Sequence, residues 1–209
     1  MRNLLTIFLS LCALLACRPV ESREPIVGLP CEGCAAVFEG LPKDPASRAR
    51  IAPVGEPGRP LVVQGVVYGA DGKPRPGVVI YAYQTNKDGV YPEDEHAPGK
   101  AAARHGRLRG WVVTDGQGAY AFNTIRPGGY PGTDEPQHIH MHVIEPGCAT
   151  YYIDEILFSD DPRLTPVRRR MLPERGGNGV VTPIESQGRW EVRRDIYLGK
   201  NIPGYPGCG

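Results

Sequence analysis

The chain has 209 residues, with 24 Lys and Arg against 23 Asp and Glu, a net charge of +1, 27 Gly and 22 Pro. A balance this even, without a long basic run, argues against a nucleic-acid partner. The density of Gly and Pro argues against long helices and predicts short strands separated by turns.

Residues 1–17 read as an export signal, with Arg2 as the charged start, Leu4 to Leu15 as the apolar run and Leu14-Leu15-Ala16-Cys17 as its end. The run is too short for a comfortable membrane span. A small residue followed directly by Cys resembles the lipobox of bacterial lipoproteins. The expectation is therefore an exported cell-envelope protein lipidated at Cys17 and held to a membrane by that lipid, with an ordinary cleaved signal as the alternative. Arg18 stands where an inner-membrane retention aspartate would be, which points to the outer membrane or a periplasm-facing position. Residues 18–60 form a proline-rich N-terminal arm, expected to lie extended on the domain. Cys31, Cys34, Cys148 and Cys208 are even in number in an oxidising compartment and allow three pairings. Disulfides are favoured over a redox or zinc site at Cys31-Glu32-Gly33-Cys34, because no second CxxC completes one.

From residue 61 the pattern becomes β-branched and apolar. Strands are predicted at 61–68 and 78–84, read as a hairpin across Ala70-Asp71-Gly72-Lys73-Pro74, and then at 110–114, 119–124, 138–144, 155–158, 180–184 and 190–198. Only 162–172 has a helical look. The expected architecture is all-β: a single β-sandwich domain over 61–209, of mixed sheets with long loops and one short helix.

Three of the five histidines are His138, His140 and His142. On a strand, residues two apart share a face about 6.6 Å apart, so His138 and His140 can lean towards one ion. His142 lies about 13 Å from His138 along an ideal strand, which places it beside the ligands or on the cavity wall rather than on the ion. Tyr130 sits in Pro127-Gly128-Gly129-Tyr130-Pro131, where the glycines and prolines fix the backbone and can aim the ring into a cavity.

The segment from Thr114 to Pro131, with Asp115, Gly118, Tyr120, Phe122, Thr124, Ile125, Pro127 and Gly128 in order, followed by His138-Ile139-His140, resembles the intradiol ring-cleavage dioxygenases, the family of protocatechuate 3,4-dioxygenase and catechol 1,2-dioxygenase. The resemblance runs from about residue 61 to 198. It implies a non-haem Fe(III) held by two tyrosines and two histidines, here Tyr130, His138, His140 and, in Gly89-Val90-Tyr91, Tyr91. It further implies cleavage of a catechol by O2 between its hydroxyl-bearing carbons to a cis,cis-muconate-type diacid. Tyr130 would be the catalytic ligand that the substrate displaces.

Two positions depart from the family. Glu135 stands where well-studied members carry an arginine, and Glu155 where a glutamine is expected. Two carboxylates there would repel an anionic substrate, which disfavours protocatechuate. Arg126 and Arg109 are the nearby residues that could supply the missing charge, with surface positions as their more ordinary role. Gly132 removes bulk after Tyr-Pro. The helical N-terminal region through which catechol 1,2-dioxygenases dimerise is missing, and the sequence does not give an oligomeric state. Two other readings compete: a non-enzymatic transthyretin-like or carboxypeptidase-regulatory-like binding module, which does not require the tyrosines and histidines, and a three-histidine zinc hydrolase, which leaves the tyrosines unexplained.

Overall fold

The computed structural model of the chain describes residues 24–28, 33–96 and 100–208. The signal segment, Cys17 and Cys31 lie outside them. Two sheets pack face to face. One contains β1 (Arg48–Arg50), β2 (Pro60–Tyr68), β5 (Ala119–Ile125), β9 (Ile184–Ser186) and β10 (Arg189–Arg193) in the order β1-β5-β2-β10-β9, with β11 (Ile196–Tyr197) also on β2. The other runs β4-β3-β6-β7-β8, from β3 (Val79–Gln84), β4 (Arg109–Val113), β6 (His138–Glu145), β7 (Ala149–Phe158) and β8 (Val180–Val181). Both sheets mix directions, with β1/β5, β10/β2, β11/β2 and β7/β8 parallel. The expected all-β sandwich of mixed sheets is thus what forms.

Alternation along the strands builds the core. Leu61, Val63, Phe122, Ile80, Ile139, Met141, Val143, Ile153 and Ile156 turn inward and are buried between the sheets. Their neighbours on the second sheet, Tyr81 and Tyr83, turn to its outer face. That face is buried as well, because the turn Cys34–Phe38 lies over it and the Trp111 indole donates to the Val37 carbonyl at 2.7 Å. The described parts of 18–60 also supply Ile51 and Ala52 to the core and pair Arg48–Arg50 with β5.

The structure corrects the hairpin expected between 61–68 and 78–84. Its turn forms, with Gly69 N–H donating to the Lys73 carbonyl at 2.9 Å, but the chain then crosses between sheets. β2 pairs with β5 from Pro60↔Ile125 to Val66↔Ala119, whereas β3 lies between β4 and β6. Turn chemistry fixes a reversal of the chain and leaves the partner open. The stretch 190–198 is likewise divided into β10 and β11 at Arg194, which is 1% exposed and spends its guanidinium on the carbonyls of Gly176 and Asp195. β7 starts well before residue 155. The one α-helix among the described residues, α1 (Pro166–Arg170), starts at Thr165, whose hydroxyl accepts from Arg168 N–H at 3.3 Å, with Pro166 in the first turn.

Cys148 is disulfide-bonded to Cys208, which selects among the three pairings, and Cys34 is also disulfide-bonded. No helix among the described residues is long and apolar enough to cross a membrane.

Candidate functional site

The outer face of the second sheet positions the site. β6 presents His138, His140 and His142 there, and β3 lays Tyr83 opposite His140 and Tyr81 opposite His142. A register shift between Ile139 and Met141 puts Asp154 and Glu155 of β7 against the single residue His140. Such a bulge re-aims side chains, and here it turns Glu155 towards the His140 ring.

Two loops bring the tyrosines in from above. Gly128 N–H donates to the Asn86 carbonyl at 2.8 Å, and the Thr85 hydroxyl donates to the Gly128 carbonyl at 2.8 Å. The backbones touch because neither loop carries a Cβ at the contact. A Cβ on Gly89 would run into the Gly129 carbonyl, and one on Gly128 would meet Gly89 N at 2.5 Å. The glycines before Tyr130 therefore act through close approach, and this contact sets Tyr91 beside Tyr130.

The predicted donor atoms converge. Tyr91 Oη and Tyr130 Oη are 2.6 Å apart, His140 Nε2 is 2.9 Å from Tyr91 Oη and 3.4 Å from Tyr130 Oη, and His138 Nε2 is 3.1 Å from both Tyr130 Oη and His140 Nε2. Donors bound about 2 Å from one ion stand at such separations from each other. The other ring nitrogens fix the tautomers. His138 Nδ1 donates to the Pro136 carbonyl at 2.7 Å, and His140 Nδ1 faces Glu155 Oε1 at 3.5 Å. Both Nε2 atoms are then left as lone pairs facing each other, an arrangement that a cation between them satisfies. Among the described residues no group of three or more His, Cys, Asp and Glu is arranged to hold a metal, so a site here needs the phenols. That removes the three-histidine zinc arrangement.

Burial shapes the electrostatics. It raises the Tyr91 phenol far above its ordinary value, reinforced by the hydrogen bond to Tyr130, and it raises Tyr130 while the same hydrogen bond pulls the other way. Burial, then the neighbouring His140, lowers His138 and keeps it neutral. Burial opposes the charge of Glu155, but the His140 ring outweighs it and draws the carboxyl down to about 2. Phenolate ligation therefore requires a strong cation at the centre.

His142 lies on the same face but away from the donors. It is 3% exposed, beside Tyr81, Tyr83, His105 and Tyr152, and burial takes it down to about 3. Clefts flank the centre on both sides and share Tyr130, His140 and Glu155. One, of about 380 Å³, lies over Tyr83, His105, His142 and Tyr152. The other, of about 510 Å³, runs from His138 to Leu157, Leu164, Met171 and Leu172, with Glu135 and Arg168 on its wall.

Arg126 is not brought to either cleft. Its guanidinium is bidentate to Asp160 at 2.7 and 2.6 Å, its Nε donates to Gln137, and it lies over the Phe158 ring. Arg109 is likewise spent on the Glu39 carbonyl and Asp94. The sequence did not single out Tyr83, His105 or Arg168. Tyr83 is sandwiched between His105, 3.7 Å away and near parallel at 3°, and His140 at 4.4 Å, while His105 Nδ1 bonds Tyr81 Oη at 2.8 Å. The period-two pattern of β3 puts Tyr81 and Tyr83 on one face, but only the register shows that this face belongs to His140.

The family model described as Dioxygenase matches residues 41–169, more than half of the chain. Catechol 1,2-dioxygenase 1 of Acinetobacter lwoffii is 37% identical over 99 residues, covering 47% of this chain and 30% of that protein. The protocatechuate 3,4-dioxygenase beta chain of Burkholderia cepacia is 32% identical over 118 residues, covering 53% of this chain and 49% of that one. The match thus spans less than half of either relative. Among solved structures, the dioxygenase domain of a dioxygenase carbohydrate-binding protein fusion from Streptomyces sp. SirexAA-E superimposes with a TM-score of 0.55 at 26% identity, covering 77% of this chain and 94% of that one.

Proposed function

The chain belongs to the intradiol ring-cleavage dioxygenase family, and from that premise we propose that it uses a non-haem Fe(III), held by Tyr91, Tyr130, His138 and His140, to cleave a catechol with O2. The product is a cis,cis-muconate-type diacid that takes up both oxygen atoms. The observation that carries the proposal is the convergence of the four donor atoms at 2.6 to 3.4 Å, which a non-catalytic sandwich module does not need. When bound, the ferric ion supplies the Lewis acidity that lets phenols and a diol lose their protons near neutral pH.

The chain's own groups do the rest. Tyr130 lines both clefts whereas Tyr91 lines only one, so Tyr130 Oη is the atom placed to accept a proton from the incoming diol. Tyr91 and His140 are braced by the Tyr83 ring, and His138 by its bond to the Pro136 carbonyl, so these three hold position. Leu157, Leu164 and Leu172 offer the larger cleft an apolar wall against which a catechol ring can lie, with the exposed Met171 at its rim.

Iron-loaded protein is expected to be burgundy, with a broad visible tyrosinate-to-iron band that shifts when a catechol is added anaerobically. Tyr91→Phe should weaken the band, and an unchanged spectrum would mean that Tyr91 is not a ligand. A colourless folded protein that does not consume O2 with any catechol sinks the proposal. The same reading places the enzyme at the cell envelope by lipidation of Cys17, supported by the apolar run 4–15 ending at Ala16-Cys17. Palmitate labelling that survives Cys17→Ser would refute that placement.

A further inference from the structure

The wall of the larger cleft carries an ion pair whose members come from a loop and from α1. Arg168, on α1, places a guanidinium nitrogen 3.4 Å from Glu135 Oε2, and Arg163 from the same segment donates to the Glu135 backbone carbonyl at 3.3 Å. Asp161 holds the base of that loop, accepting from Gln137 N–H at 2.6 Å. Side chains of the pair are 41% and 50% exposed, so the guanidinium sits at the cleft surface, where a bound molecule can reach it.

Charge makes this pair consequential. A ring carboxylate would bring a further negative charge into a cleft whose lining already holds Glu135 and Glu155. Glu155 is turned to the His140 ring. Among the described lining residues Arg168 is the only Lys or Arg. Its planar fork has five donors, and Glu135 engages one edge of it.

We propose that the Glu135–Arg168 pair determines substrate class in this cleft: Arg168 is the cation a ring carboxylate would seek, and Glu135, by holding the same guanidinium, selects ring-unsubstituted or neutral catechols over carboxylated ones. A ring carboxylate would compete with Glu135 for Arg168 and face its like charge, whereas an uncharged ring leaves the pair intact. The inference rests on the dioxygenase reading above.

The test compares catechol with 3,4-dihydroxybenzoate on iron-loaded wild type, Glu135→Gln, Arg168→Gln and Arg168→Lys. Steady-state O2 uptake and anaerobic calorimetric binding are both measured. Glu135→Gln should raise the ratio of kcat/KM for the benzoate over catechol by about tenfold, and Arg168→Gln should lower it by raising KM for the benzoate. Arg168→Lys should recover part of the binding, which a purely structural loss would not allow. Ratios and dissociation constants that stay within about twofold of wild type in both glutamine variants overturn the assignment while leaving the dioxygenase reading intact. Wild type that neither binds nor oxidises these two compounds or any other member of a catechol panel overturns both.

Discussion

Tyr83 shows how much of the candidate site can be held by a residue outside the converging donor atoms. Its ring is 8% exposed, stacked on the candidate ligand His140 on one side and on His105 on the other, and His105 is fixed in turn by the Tyr81 hydroxyl. The column also buries His105 and its neighbour His142, each 3% exposed. Burial drops them to about 4 and about 3, from an ordinary 6.5. In an unfolded chain both would take up a proton as pH falls below 6.5, while the folded protein stays unprotonated until near those lower values. Stability therefore rises with pH across this window and falls on acidification, by about 1.4 kcal/mol per pH unit for each histidine. Metal-free protein should show this slope between pH 6.5 and 4 in denaturant titrations, and His142→Gln should make it shallower. A slope that the substitution does not change would show that His142 is not held neutral.

At the scale of elements, the two tyrosine loops depend on an absence of side chains. Gly89 has φ +79° and packs against the Gly129 carbonyl, so Ala there combines backbone strain with a clash. Gly188 has φ +75° with nothing within 4 Å of a built Cβ and isolates the strain alone. Gly188→Ala should cost about 1 kcal/mol, and Gly89→Ala about 2 to 3 kcal/mol together with loss of the visible band, because the loops part and Tyr91 leaves Tyr130. Equal costs at both positions, with the band retained, would refute the loop-contact account. Most strands are legible in the sequence because period-two alternation is local. The sheet crossing after β2 and the division at Arg194 are not, since pairing partners and the burial of an arginine are settled by distant parts of the chain.

At the scale of the whole molecule, the Cys148–Cys208 bond ties the C-terminal segment to the start of β7 across 60 residues of sequence. Tyr205 reinforces the tie, its hydroxyl donating to Glu145 at 2.9 Å. A loop of this length constrains the unfolded chain by about 4 kcal/mol in the chain-entropy model. Replacing both cysteines by serine should therefore lower Tm by roughly 10 °C, while the core between the sheets stays formed. A Tm within about 2 °C of wild type would show that the closure adds nothing measurable.

The sequence by itself determined the sandwich class and singled out the four side chains that converge, Tyr91, Tyr130, His138 and His140. Strand alternation, turn residues and the spacing of His138 and His140 are local, and the motif around Tyr130 carried the family with it. Tertiary structure alone decided what surrounds those donors. It stacked Tyr83 under His140, bulged β7 to aim Glu155, engaged Arg126 with Asp160, and brought Arg168 from α1 to Glu135. The physical reason is that a ligand pair two residues apart is fixed by strand geometry, whereas the cation facing a cleft comes from whichever loop packs there, and no local pattern records that.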